Sequence, residues 1–171
     1  MRYWVLTAIT LVAYLVESVL GPFLAIGGVA PNVVFVVAVS CGLLFGWQVG
    51  LGVGFGGGLL IDLTIGQLIG SHALAGSLVG FIAGVVEERV FKDNLLLPLI
   101  GGLVGSVVGQ AVVLASLLLF GRHVPLAELS GKLLRSVAYD TVLCALVYWR
   151  IFRMYGFIRP DPRGVIVLRR R

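Results

Sequence analysis

Between Arg2 and Glu87 the chain carries only two formal charges, Glu17 and Asp62. A water-soluble fold of this length cannot cover its surface with so little charge, because a small domain leaves a large share of its chain exposed to solvent. Across all 171 residues, 12% are charged and 59% hydrophobic, where an ordinary soluble domain has about 25% charged residues. Mean hydropathy is +1.07. These figures exclude soluble enzymes, nucleic-acid-binding modules and disordered tails. They point to an all-α, polytopic membrane protein.

A helix needs about 20 apolar residues to cross the hydrocarbon core. On that measure the chain divides into six runs, at 3–24, 31–47, 49–65, 71–86, 94–120 and 132–152. The second and third are separated by little more than Gly46-Trp47-Gln48. The runs are continuous and lack the alternation of a β-barrel strand. The first is longer than the apolar region of a signal peptide and only Arg2 precedes it, so it is read as a retained helix. With six spans and the N-terminus inside, ten Lys and Arg residues fall on the inner side and three on the outer. The bias of such loops toward positive charge places both termini in the cytoplasm. Residues 1–158 then form a six-helix membrane domain and 159–171 a basic cytoplasmic tail. The net charge of +5 arises from arginines that follow the last apolar run, where they face membrane lipid headgroups. No basic stripe interleaved with aromatics suggests nucleic acid. Cys41 and Cys144 lie inside apolar runs and read as small packing residues.

Glycine spacing is the strongest local pattern. Gly50, Gly54 and Gly58 repeat every four residues and lead to Asp62, with Gly42 and Gly46 in the same register. Gly76, Gly80 and Gly84 repeat it in the fourth run, and Gly101, Gly105 and Gly109 in the fifth. Residues four apart share a helix face, and small residues there let two backbones approach closely in lipid. Such a ladder packs the chain's own helices or docks a partner's transmembrane helix. Gly52, Gly54 and Gly57 also fit a dinucleotide fingerprint, but that motif needs a strand-turn-helix context that a membrane span does not provide. Ionisable residues inside a span are costly and invite a functional reading. Glu17, Asp62 and Asp140 are of this kind, and all three fall in the outer half of the membrane with His72 nearby. Together they suggest an outward-facing polar pocket, or simple hydrogen bonding between helices. No metal-ligand spacing and no cofactor motif is present in the sequence.

One stretch has a familiar pattern. Pro31-Asn32 opens an apolar run, Gly50-x-x-x-Gly54-x-x-x-Gly58-x-x-x-Asp62 follows, and Ile69-Gly70-Ser71-His72-Ala73-Leu74 leads into Gly76-x-x-x-Gly80-x-x-x-Gly84. It resembles the bacterial rod shape-determining family MreD, with Asn32 where that family more often has Asp. The resemblance implies a non-enzymatic component of the inner-membrane cell-elongation machinery. It implies MreC as partner, through its transmembrane region. It also implies a wider assembly with a peptidoglycan glycosyltransferase–transpeptidase complex and the filament MreB. The family's motif residues fall here on Gly50, Gly54, Gly58, Asp62, Gly70 and His72. The implied fold is a compact six-helix bundle like the S components of energy-coupling-factor transporters. That likeness leaves an alternative, a vitamin-binding S component using the polar pocket. A membrane enzyme with Asp62 and His72 as an acid–base pair is the third reading.

Overall fold

The structure, a computed structural model, describes residues 3–25, 28–66, 68–87, 96–121 and 126–158. The helices are α1 (Tyr3–Leu15), α2 (Gly21–Leu24), α3 (Val33–Phe45), α4 (Trp47–Ile65), α5 (Ser71–Glu87), α6 (Leu96–Leu119) and α7 (Leu126–Ile158). A π-helical turn, Val16–Leu20, joins α1 to α2 without a break, so the described residues form six helical segments. Large apolar side chains such as Leu63, Leu74, Ile100 and Leu119 point outward. That exposure is unfavourable in water and neutral in hydrocarbon. The chain is a helical membrane protein.

Not every segment is a full span. Tyr3–Phe23, Trp47–Ile65 and Leu96–Leu119 are long and apolar enough to cross a bilayer, whereas Val33–Phe45 and Ser71–Val86 are shorter apolar helices. The 13 residues of α3 rise only about 20 Å, against a hydrocarbon core of about 30 Å. The run at 31–47 is longer than the helix because it takes in Pro31 and the polar Asn32 before α3, and the turn residue Gly46 and Trp47 of α4 after it. At the other extreme, α7 reaches from Leu126 to Ile158, beyond both ends of the run at 132–152. Hydropathy stops at the charges that bound an apolar stretch, Glu128 and Lys132 before it and Arg153 after it, whereas the helix continues through them. The basic tail at 159–171 lies outside the described residues.

Every residue of α3 is buried, and α3 packs against α1, α4, α5, α6 and α7. A helix that is apolar all round belongs in the centre. Its valine-rich sequence is a poor helix former in water. In apolar surroundings, however, a helix satisfies its backbone polar groups within the segment, and this requirement decides the conformation. The glycines of α6 receive side chains of this central helix: a Cβ on Gly101, Gly105 or Gly109 would meet Leu43, Val39 or Phe35, respectively, at 2.6–2.9 Å.

Gly46 alone joins α3 to α4, with φ +93° and ψ 171°. That region is open in practice only to glycine. The turn brings the two helices backbone to backbone, so that a Cβ on Gly50 would lie 2.7 Å from Cα of Gly42. Gly46→Ala is expected to cost about 2 kcal/mol, read as a lower thermal midpoint in detergent. An unchanged midpoint would show that the turn relaxes freely.

Candidate functional site

The closest helix pair is α4 with α5. Gly50 faces the backbone of Gly80, Gly54 that of Gly76, and Gly58 the backbone of His72 and Ala73. The series closes at the far end with Gly84 against Gly46 and Trp47. At each of these positions a Cβ would fall under 3.0 Å from backbone atoms, closer than real Cβ atoms come. The five glycines singled out in the sequence, Gly50, Gly54, Gly58, Gly76 and Gly80, therefore sit in one antiparallel seam within this chain.

The seam ends at Asp62, which is 1% exposed. Its Oδ2 accepts backbone N–H bonds from Gly70 (2.8 Å) and Ala73 (3.0 Å). Its Oδ1 accepts from the backbone N–H of His72 (3.0 Å) and the hydroxyl of Ser71 (3.3 Å). The cause is local. A helix start leaves orphan N–H groups, usually met by a Ser, Thr, Asp or Asn side chain at the cap. Gly70 stands at that position before α5 and has no side chain. Asp62, reaching across from the last turn of α4, supplies both oxygens, and its negative charge faces the positive end of the α5 dipole. His72 Nδ1 lies 2.8 Å from Asp62 Oδ1. A carboxylate only accepts, so Nδ1 carries the proton. The His72 side chain is 22% exposed.

A second network surrounds the start of α3. Asp140, also 1% exposed, accepts from the backbone N–H of Asn32 at Oδ1 (2.9 Å). At Oδ2 it accepts from the Asn32 side-chain amide (2.9 Å) and the Ser106 hydroxyl (2.6 Å). Gln110 donates to both Ser106 and Ser136 at 2.9 Å. Glu17, on the π turn, accepts the backbone N–H of Val34 at 2.8 Å. Two acids from distant parts of the chain thus cap the N-terminus of one buried helix. This is the physical answer to the shortness of α3: its first turn opens inside the protein, where non-helical backbone is tolerated only with partners present.

Asp62 and His72 thus belong to one network, and Glu17 and Asp140 to another at the start of α3. Ser71, Ser106 and Ser136 were not singled out from the sequence. The spacing of Ser106 to Gln110 and of Ser136 to Asp140, four residues each, is the signal that pairs them on one helix face. An apolar cavity of about 270 Å³ lies elsewhere, lined by α3, α5 and α6 side chains including Leu43, Val79, Val86 and Leu96. Among the described residues, no group of three or more His, Cys, Asp or Glu side chains is arranged to hold a metal. The Asp62–His72 pair has the hydrogen bond that acid–base chemistry requires, yet both Asp62 oxygens are also committed to the α5 backbone.

Comparison with protein families matches residues 1–158 to the rod shape-determining protein MreD. No curated protein and no solved structure matches.

Proposed function

The chain belongs to the MreD family of rod shape-determining proteins, and from that premise we propose that it is a non-enzymatic scaffold of the elongation machinery. In this reading it is a multi-pass inner-membrane protein with both termini in the cytoplasm. It docks the transmembrane region of MreC and so supports the peptidoglycan glycosyltransferase–transpeptidase complex, with MreB reached only through those partners.

The observation that carries the reading is the inward commitment of the motif residues. Gly50, Gly54 and Gly58 lock α4 onto α5, and Asp62 ties the end of that seam to the α5 backbone. The result is a stiff helical block with an apolar exterior, which suits a platform better than a catalyst. The vitamin-binding alternative loses its motivation on the same ground. Glu17, Asp62 and Asp140 are hydrogen-bonded to helix N-termini, and the 270 Å³ cavity is apolar.

The test uses a rod-shaped host depleted of its own copy. His72→Ala removes the imidazole but keeps the His72 backbone N–H on Asp62. It is expected to retain rod shape and co-purification of MreC, with about 1.5–3 kcal/mol lost from one hydrogen bond to a carboxylate. Spherical cells at normal levels of folded variant would instead point to chemistry at His72. Absence of MreC from the purified wild-type complex would overturn the docking.

A further inference from the structure

The C-terminal part of α7 carries an exposed cluster on its outer side. Arg153 lies over the Trp149 ring, its guanidinium carbon 3.7 Å from the ring centroid. Arg150 is three residues before Arg153 and Trp149 four before it, so the three share one helix side. Arg150 and Arg153 are exposed, as are Trp149 (54%) and Phe152 (38%). No carboxylate occurs between Thr141 and Ile158.

The level of this cluster follows from its neighbours. Tyr155 stacks on Phe45 with centroids 5.3 Å apart, and Phe45 is the last residue of α3. Arg153, two residues earlier, therefore lies at the depth of the turn at Gly46 but on the outward side of α7, and at that same depth α4 begins with the exposed Trp47. Tryptophans at the ends of spans favour the headgroup level of a bilayer. An arginine there extends its apolar stem along the hydrocarbon and its charge toward the interface.

We propose that Trp149, Arg150 and Arg153 form a binding site for the phosphate of an anionic phospholipid. The Trp149 ring takes one face of the Arg153 guanidinium and leaves its in-plane N–H donors directed outward. Such a fork matches phosphate oxygens, and Arg150 adds a second cation on the same side. The apolar faces of Trp149 and Phe152 receive the upper part of the acyl chains. A free anion lacks that apolar contact and binds less well. The site rests on the membrane placement of the chain and not on the docking of MreC, so the two readings fail separately.

The test titrates full-length protein in neutral detergent with phosphatidylglycerol, phosphatidylcholine or inorganic phosphate, and follows thermal unfolding. Phosphatidylglycerol is expected to raise the midpoint at lower concentrations than phosphatidylcholine, with inorganic phosphate having little effect. Arg150→Gln and Arg153→Gln are each expected to weaken the phosphatidylglycerol response about fivefold, and the double variant to respond alike to both lipids. A double variant that keeps the preference would overturn the proposal and assign it to the tail arginines. So would an equal effect of inorganic phosphate on the wild type. Native mass spectrometry of the wild type gives a reading that needs no variant: retained phosphatidylglycerol supports the site, and equal retention of both lipids overturns it.

Discussion

Replacing Gly54 with leucine is expected to abolish recovery of folded protein, whereas leucine at Gly52, two residues earlier on the same helix, is tolerated. At Gly54 the first added carbon already collides with the Gly76 carbonyl and lies 2.9 Å from the Ser77 nitrogen. Neither is a flexible side-chain end, so α4 and α5 must separate along the whole seam. Overpacking of an ordinary core costs about 1–3 kcal/mol. Here the obstacle is backbone, and the loss extends to the Gly50–Gly80 and Gly58–His72 approaches. We expect at least about 3 kcal/mol, the upper end of that range. Gly52 has nothing within 4 Å of its added carbon. Leucine there gains close to 1 kcal/mol of helix propensity. Gel filtration in detergent distinguishes the two: monodisperse Gly52→Leu beside aggregated Gly54→Leu is the expected pair. Equal behaviour would mean that the seam is not what holds these helices together.

The second large effect is expected at Asp62. Asp62→Ala removes the acceptor for three backbone N–H groups at Gly70, His72 and Ala73, together with the Ser71 hydroxyl and the imidazole. An unsatisfied buried donor costs about 1–3 kcal/mol, so the variant is expected to lose about 3 kcal/mol or more. Asp62→Asn keeps one carbonyl oxygen but turns amide hydrogens toward a row of donors, and is expected to recover only part of the loss. Thermal midpoints order the series as wild type, Asn, Ala. Amide hydrogen exchange locates the lesion, with Gly70, His72 and Ala73 exchanging faster in Asp62→Ala while the α3 core stays protected. Uniform protection in the Ala variant would show that water caps α5 unaided. Loss of shape in both Gly54→Leu and Asp62→Ala would trace to one cause, the unlocking of α4 from α5.

These two residues also mark how far the sequence can be read. The spacing of Gly50, Gly54 and Gly58 states that they share a helix face, since a helix turns 3.6 residues at a time. It does not state what lies opposite, and a partner's helix would produce the same pattern. Asp62 at the next step of that ladder is legible as an unusual charge. Its use as a cap for α5 is not, because Gly70 reaches it only through the turn after α4. The polar residues invited the idea of one shared pocket at the outer face. Depth along a helix can be estimated from a sequence, but rotation about the bundle axis cannot. The structure has Glu17 and Asp140 capping α3 while Asp62 and His72 serve α5.

What the sequence settled unaided was the solvent and the secondary structure. Two charges between Arg2 and Glu87 leave lipid as the surroundings, and a backbone in lipid must bond to itself, which here makes helices. Pairing was decided by folding: which glycines meet, which acid reaches which helix start, and where α3 begins. Those outcomes depend on contacts between residues up to 108 positions apart, such as Asn32 with Asp140. Local periodicity is blind to them, because a residue's neighbours along the chain fix the direction of its side chain and not the group it finally touches.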